Sequence, residues 1–349
     1  MRIAITGASG NVGSALVERL LADGEHEVVG IARRPPDDDA IEWHSVDLTR
    51  DDQRPALEDA VRGADAVVHL AWGFQPSHRI DHLAALGVGG TRRVADAVSA
   101  TGVPHLVHLS SVGAYSPRRD REPVTEDYPT DGVPTSPYSR HKVAAERLLD
   151  RFEAETEVTV TRMRPGIIGQ RRAGSALLRY GVPALVPARL VRALPVLPLD
   201  RSVEISMVHA TDVADAVALA VAARSGGAFN LAAGSVTADE IAAVLGARRV
   251  QVPMQALRVA ASATWHLRLQ QVDPGWVDLA AQAPVLDAGR ANRELGWRPG
   301  RTAWAVLEET VAGVTDAAAG ETAVLRPRSV GRELVALARG GPVSRRTRP

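Results

Sequence analysis

One segment at the start of the chain limits its possible folds more than any other. The apolar run Arg2-Ile3-Ala4-Ile5-Thr6 passes directly into Gly7-Ala8-Ser9-Gly10-Asn11-Val12-Gly13, and an amphipathic helical pattern follows over Asn11–Asp23. Each glycine has a separate steric task in a strand–turn–helix unit of this kind. Gly7 permits the tight turn, Gly10 lets the backbone approach a pyrophosphate, and Gly13 lets the helix pack closely on the strand. The N–H groups of Asn11, Val12 and Gly13, free at the helix start, then meet negative phosphates. The segment therefore predicts a dinucleotide site containing Thr6, Gly7, Gly10, Asn11, Val12 and Gly13.

The rest of the first half repeats the alternation. Glu27–Ala32, Ala66–Leu70, His105–Ser110 and Val158–Arg164 are Val-, Ile- and Leu-rich runs without polar alternation, as in parallel strands covered on both faces. Helical patterns over 52–62, 83–100 and 139–155 separate them. The expected fold is α/β, a Rossmann-type doubly wound parallel sheet with a smaller C-terminal substrate-binding domain. Residues 1–165 form the dinucleotide-binding domain, to which 206–231 return. Residues 166–205 and 232–315 form the second domain. Residues 320–349 are arginine-rich, lack lysine and are expected to be a loosely ordered tail.

Strand two bears on the choice of cofactor. Sites for NAD usually end this strand with an acid that accepts from the ribose hydroxyls. Here Val28-Val29-Gly30-Ile31-Ala32 is followed by Arg33-Arg34, two cations suited to a 2′-phosphate, so NADP is expected over NAD. The nearby Asp37, Asp38 and Asp39 leave open a plain solvated charge cluster. Asp47 and Leu48 follow the third strand, and Asp47 either contacts the adenine or caps the helix that begins near Asp51.

Tyr138 and Lys142 stand at i and i+4 at the start of a helix, on one face. A nearby ammonium favours the phenolate and would lower the phenol's pKa, making Tyr138 an acid/base candidate. Charge and composition narrow the alternatives. Lys+Arg and Asp+Glu are equal at 41, which gives no support for nucleic-acid binding. The chain has no cysteine, which excludes thiolate metal sites and cysteine nucleophiles, and its ten histidines show no zinc spacing, so no metal is expected. It has no apolar run of about 18 residues to span a membrane and no secretory leader pattern. The expectation is a soluble, cytoplasmic protein.

Together, the glycine turn and the Tyr138/Lys142 pair resemble the extended short-chain dehydrogenase/reductase family, the NAD(P)-dependent epimerase/dehydratase-like group. Further matches run to about residue 305: His69-Leu70-Ala71, Leu109-Ser110-Ser111-Val112-Gly113-Ala114-Tyr115, Arg164-Pro165-Gly166, Val208-His209-Ala210-Thr211-Asp212-Val213-Ala214 and Leu295-Gly296-Trp297-Arg298-Pro299. The resemblance implies a Ser111–Tyr138–Lys142 set. Tyr138 exchanges a proton with a carbonyl or hydroxyl, Ser111 holds that oxygen and Lys142 holds the nicotinamide ribose. It also implies that Leu70, Ala71 and Pro165 line the cofactor site, and that dimers can form through the helices at 84–100 and 139–155. The small-molecule pocket is expected beside the sheet's C-terminal edge, with Trp72, Phe74, Tyr115, Arg172 and His209 as candidate walls. His209 has a second reading, as an organiser of the domain junction.

The chain departs from the family pattern twice. Gly87 stands where an asparagine is usual, and Val112-Gly113 follow Ser111 where sugar dehydratases carry Asp-Glu. Without that acid pair, dehydration is not expected. The readings left open are a carbonyl/alcohol oxidoreductase, a nucleotide-sugar epimerase with tightly held cofactor, and a non-catalytic cofactor sensor.

Overall fold

The computed structural model describes residues 1–73, 76–181 and 195–329, together with Ala188, Gly331 and Val335. Strands buried on both faces organise it. In β1 (Arg2–Thr6) the side chains of Ile3 and Ile5 join one apolar cluster and that of Ala4 joins another, because successive residues of a strand point to opposite faces. The same split recurs in β2 (Glu27–Ala32), with Val28 on one side and Val29 and Ile31 on the other. An uninterrupted apolar run is therefore needed, since neither face meets water.

Five further strands complete the sheet: β3 (Glu42–Ser45), β4 (Ala66–His69), β5 (His105–Leu109), β6 (Thr159–Pro165) and, later in the chain, Gly227–Leu231. All neighbours pair in parallel, in the chain order third, second, first, fourth, fifth, sixth, last. The order reverses between β1 and β4, which opens a crevice at the strands' C-terminal ends, where doubly wound sheets bind ligands.

Helices cover both faces. α1 (Asn11–Asp23) packs on one side, and α2 (Arg54–Val61), α3 (Ile80–Thr101) and α4 (Pro137–Glu155) cover the other. The expected helix over 52–62 divides into a 3-10 turn, Asp51–Gln53, and α2, whose first turn contains Pro55. α4 starts two residues earlier than its apolar pattern suggests. Ser136 caps it by accepting from the Ser139 N–H at 3.3 Å, and Pro137 fits the first turn because no N–H is needed there.

After β6 come β7 (Ile167–Gly169), α5 (Gly174–Gly181), β8 (Val196–Leu199), β9 (Glu204–His209), α6 (Ala210–Ala223) and β10, the Gly227–Leu231 strand already placed. Within 206–231, α6 covers the α1 face and β10 closes the central sheet beside β6. β9 does not join that sheet. It pairs instead with β7 and with β11 (Ser235–Thr237) in a separate three-stranded sheet. The remaining elements are α7 (Ala238–Val244), β12 (Arg248–Gln251), α8 (Met254–His266), α9 (Pro274–Gln282), α10 (Gly289–Leu295) and α11 (Ala303–Thr315). The described part of the C-terminal stretch, 320–329, packs on the fold and buries Leu325, whereas a loose tail was expected.

Trp297 ties α10 to α6. Its ring is fully buried in the α1/α6 core and its indole N–H donates to the Asp212 carbonyl at 2.7 Å. Trp297→Ala should lower the unfolding free energy by about 3–5 kcal/mol, read by chemical denaturation. A loss below about 1 kcal/mol would show that the site collapses around the deletion.

Candidate functional site

A cavity of about 430 Å³ opens along the C-terminal ends of the parallel strands. The segments that follow successive strands supply its floor: Gly7 to Gly13 after β1, Arg33 after β2, Asp47 and Leu48 after β3, Leu70 to Trp72 after β4, Ser111 after β5 and Pro165 at the end of β6. One fold-level feature, the common direction of the strands, thus assembles residues far apart in sequence.

At the first turn the three glycines separate by cause. Gly7 has φ +75°, and a Cβ there would sit 2.8 Å from the Ala71 nitrogen. A Cβ at Gly13 would be 2.2 Å from the Gly7 carbonyl oxygen, so the protein's own packing requires both glycines. Gly10 differs, because a Cβ there would meet only the Gly7 oxygen, at 3.1 Å. Gly10 also lines the cavity. The first-turn N–H groups of α1 have no intrahelical acceptors, and the Asn11, Val12 and Gly13 residues that carry them line the cavity as well. A cradle of free N–H groups around a bare glycine fits a pyrophosphate. Gln170 fixes Asn11 by donating to its carbonyl and side-chain oxygens at 2.8 and 2.6 Å.

Thr6 lies under this cradle, not in the cavity. It is fully buried, and its hydroxyl bonds His69 Nδ1 at 2.7 Å and accepts from the Ala71 N–H at 3.4 Å, which locks the loop after β4 to β1. Asp47 lines the cavity and accepts from the Thr49 N–H and hydroxyl at 3.0 and 2.7 Å, whereas the Asp51–Gln53 helix it was expected to cap has no side-chain cap. Arg33 lines the cavity. Among the described residues no carboxylate pairs with Arg33 or Arg34, the three nearby aspartates included.

At the other end of the cavity stand Ser111, Tyr138 and Lys142. Ser111 caps the short turn Val112–Ala114 by accepting from the Gly113 N–H at 3.0 Å. The first turns of α4 carry Tyr138 and Lys142. The Tyr138 ring lies 6.4 Å from Trp72, edge-on, and 5.0 Å from Trp276 of α9. This apolar box pushes its phenol up to about 12, with the nearby Ser111 hydroxyl acting the other way. Lys142 is buried, donates to the Leu109 carbonyl at 2.7 Å and sits 3.4 Å over the Trp72 ring. Burial holds its ammonium well below the usual lysine range, with Glu146 opposing. The expected lowering of the phenol by Lys142 does not occur, because desolvation outweighs a cation already engaged by a carbonyl and an indole face.

Trp72 also accounts for Gly87. A Cβ at Gly87 would lie 2.9 Å from the indole, so the ring fills the space a side chain there would need.

Glu146, one turn beyond Lys142 on α4, anchors this end. Its oxygens accept from Arg164 Nε and Nη2 at 2.9 and 2.6 Å and from the Ser110 hydroxyl. Burial acts against the Arg164 charge, but the Glu146 bonds more than offset it, and the guanidinium is held above its usual range.

Three candidate pocket walls lie elsewhere. Tyr115 is fully buried, with its hydroxyl donating to Asn230 at 2.6 Å and accepting from Arg164 at 3.1 Å, so it braces β5 to β6 and β10. Arg172 points to α1, where it donates to Glu18 at 2.8 Å. His209 caps α6 and bonds Thr211 at 2.7 Å and Glu309 at 3.2 Å, at the junction with α11. Phe74 lies outside the described residues. The reading from sequence missed the wall formed by Trp276, Leu279 and Ala280 of α9, and Glu204 and Ser206 of β9. Nothing in the weakly patterned stretches 171–205 and 250–285 marked them out. No group of metal-ligating side chains occurs among the described residues.

The model of the NAD dependent epimerase/dehydratase family matches residues 3–232. An uncharacterised protein of Mycobacterium tuberculosis is 31% identical over 88% of this chain, which spans 29% of that protein's length. The UDP-glucose 4-epimerase of Mycolicibacterium smegmatis is 29% identical over 86% of this chain and 94% of its own. Among solved structures, the Thermus thermophilus UDP-glucose 4-epimerase in complex with NAD superposes with a TM-score of 0.67 at 23% identity, covering 90% of this chain and 99% of that one. This last likeness concerns the fold.

The Glu146–Arg164 pair makes its own prediction. Glu146→Gln leaves a buried guanidinium undercompensated and should cost about 3–5 kcal/mol in urea denaturation. The double variant Glu146→Leu/Arg164→Met should recover part of that loss, since it removes both charges. A single-variant loss below about 1 kcal/mol would mean that water reaches the pair.

Proposed function

The chain belongs to the NAD dependent epimerase/dehydratase family, and from that premise we propose an oxidoreductase that interconverts a carbonyl and a secondary alcohol through Ser111, Tyr138 and Lys142. The observation that carries this reading is the meeting of Ser111, Tyr138 and Lys142 at one end of the cavity, with the phenol and the ammonium one helical turn apart on α4 in the same desolvated box. When bound, the nicotinamide cofactor gives or takes the hydride. The chain's own groups manage the proton. A phenol held near 12 keeps its hydrogen at neutral pH and can donate it to the oxygen of a carbonyl being reduced. The Ser111 hydroxyl holds that oxygen, and Lys142 serves the nicotinamide ribose. Trp72, Trp276 and Leu279 exclude water from the reacting atoms.

The wider assignment belongs to the same proposal. NADP is the preferred cofactor, supported by the missing acid after β2 and by Arg33 and Arg34, which pair with no carboxylate among the described residues. The turn residues Gly7, Gly10, Asn11, Val12 and Gly13, with Asp47, Leu48, Leu70, Ala71 and Pro165, form the cofactor site, and Thr6 supports the turn from beneath. Residues 166–205 and 232–315 serve the substrate. The protein is cytoplasmic and a homodimer through α3 and α4. Among the described residues no helix is long and apolar enough to cross a membrane.

The relative from Mycolicibacterium smegmatis favours a second reading, an epimerase that keeps its cofactor. Mass spectrometry of co-purifying nucleotide, with a test for net NADPH turnover on a carbonyl panel, separates the two. Tightly held nucleotide without net turnover would select the epimerase.

Tyr138→Phe deletes one hydroxyl and leaves the ring packing and Lys142 in place. Single-turnover hydride transfer should fall about 10²–10⁴-fold while the NADPH dissociation constant stays nearly unchanged. Lys142→Ala should impair both quantities. Retention of more than about a tenth of the rate by Tyr138→Phe would remove the phenol from the mechanism. The cofactor preference has a separate check, fluorescence titration of the wild-type protein, in which NADPH should bind more tightly than NADH.

A further inference from the structure

The glycine turn has a neighbour from the far end of the chain. The Thr322 hydroxyl donates to the Ser9 carbonyl at 2.7 Å. Arg179 of α5 donates to the backbone carbonyls of Val324 and Arg326, and the Gly320 N–H donates to that of Leu325 at 2.8 Å. Leu325 is buried, and with Val324 it lines the same cavity as Gly7, Gly10 and Arg33. Five anchored residues, Thr322 to Arg326, thus form a strap across the nucleotide turn, about 290 positions beyond the arginines of β2 in sequence.

Charge gives the strap a purpose that packing alone would not. Arg326 comes directly after the two lining residues, and its guanidinium approaches the Ala323 carbonyl at 3.4 Å. Among the described residues no carboxylate pairs with Arg33, Arg34 or Arg326. Burial, and then the like charges of Arg33 and Arg326, hold the Arg34 guanidinium below its usual range. Three cations gathered from two ends of the chain without an acid repel one another, and a dianion placed among them relieves that repulsion. Guanidinium groups also match phosphate oxygens in planar, two-point hydrogen bonding.

We propose that the Thr322–Arg326 strap is a wall of the cofactor site and that Arg326 is a specificity-determining residue, joining Arg33 and Arg34 on the 2′-phosphomonoester of the adenosine ribose. The proposal rests on the NADP reading above. It goes further by assigning part of the cofactor preference to the C-terminal segment instead of to the β2 turn alone.

The test titrates NADPH and NADH into wild type, Arg33→Ser/Arg34→Ser and Arg326→Ala, with 2′-AMP and 5′-AMP as competing probes. Arg326→Ala should weaken NADPH and 2′-AMP about 10- to 100-fold, flatten the salt dependence of NADPH binding, and leave NADH and 5′-AMP within about twofold of wild type. Equal weakening of NADPH and NADH would reduce Arg326 to a structural anchor and overturn its specificity role. If the double variant loses NADPH selectivity and Arg326→Ala keeps it, the strap proposal falls and the NADP reading stands. A wild type that binds the two cofactors equally overturns both. Thermal unfolding of Arg326→Ala without cofactor should match wild type, because its guanidinium makes one weak contact at a partly exposed position.

Discussion

The Glu146–Arg164 ion pair carries more of the architecture around the site than any other contact. Both side chains are almost entirely excluded from solvent, at 5% and 8% exposure. A charge in such a place is tolerated only if its partners replace water completely. Glu146 does so from α4, the helix that also presents Tyr138 and Lys142. Arg164 does so from β6, and it extends the network through Tyr115 to Asn230 of β10. The Ser110 hydroxyl brings in the end of β5, next to Ser111. The pair therefore fixes the helix bearing the phenol and ammonium against the strand ends that bear the serine and the cofactor floor. Their register is set by bonds whose loss would strand a charge in the interior.

The environment created by this arrangement is dry on one side and polar on the other. Trp72, Trp276 and the α9 wall desolvate the phenol and the ammonium together. Each is pushed toward its neutral form, the phenol upward and the ammonium downward. A phenol that stays protonated suits the proton donation proposed for it. The opposite end gathers cations and free N–H groups, which suits a phosphorylated cofactor.

Reading by residue went furthest where a local pattern has a single physical cause. The glycine turn, the doubly buried strands and the Tyr138/Lys142 spacing are of this kind. Gly7 needs its positive φ and Gly13 its bare α-carbon whatever else the chain does. The expected Asn11–Asp23 helix agrees with α1 residue for residue, because Gly24 in the left-handed conformation ends it locally. The reading was weaker wherever a side chain had to choose between neighbours. Tyr115 and His209 lie in suitable motifs and Arg172 in a weakly patterned stretch, yet each finds a partner on another element and turns away from the cavity. Asp47 was open between a helix cap and a site position; it does not cap the Asp51–Gln53 helix, but bonds Thr49 just before it and lines the cavity.

What the sequence determined alone is the sheet, its crevice and the chemistry placed there: a nucleotide cradle at the first turn and a phenol and ammonium one turn apart on a helix. These follow from short-range rules of backbone conformation and periodicity, which act within a few residues. Only the tertiary structure decided the state of that chemistry and who shares it. It set the direction of the Tyr138 shift, seated Trp72 in the space above Gly87, brought the α9 wall to the phenol, and laid the 322–326 strap over the turn at Ser9. Those outcomes depend on desolvation and on contacts between residues as much as some 300 positions apart, and no local pattern encodes which surface a distant segment will cover.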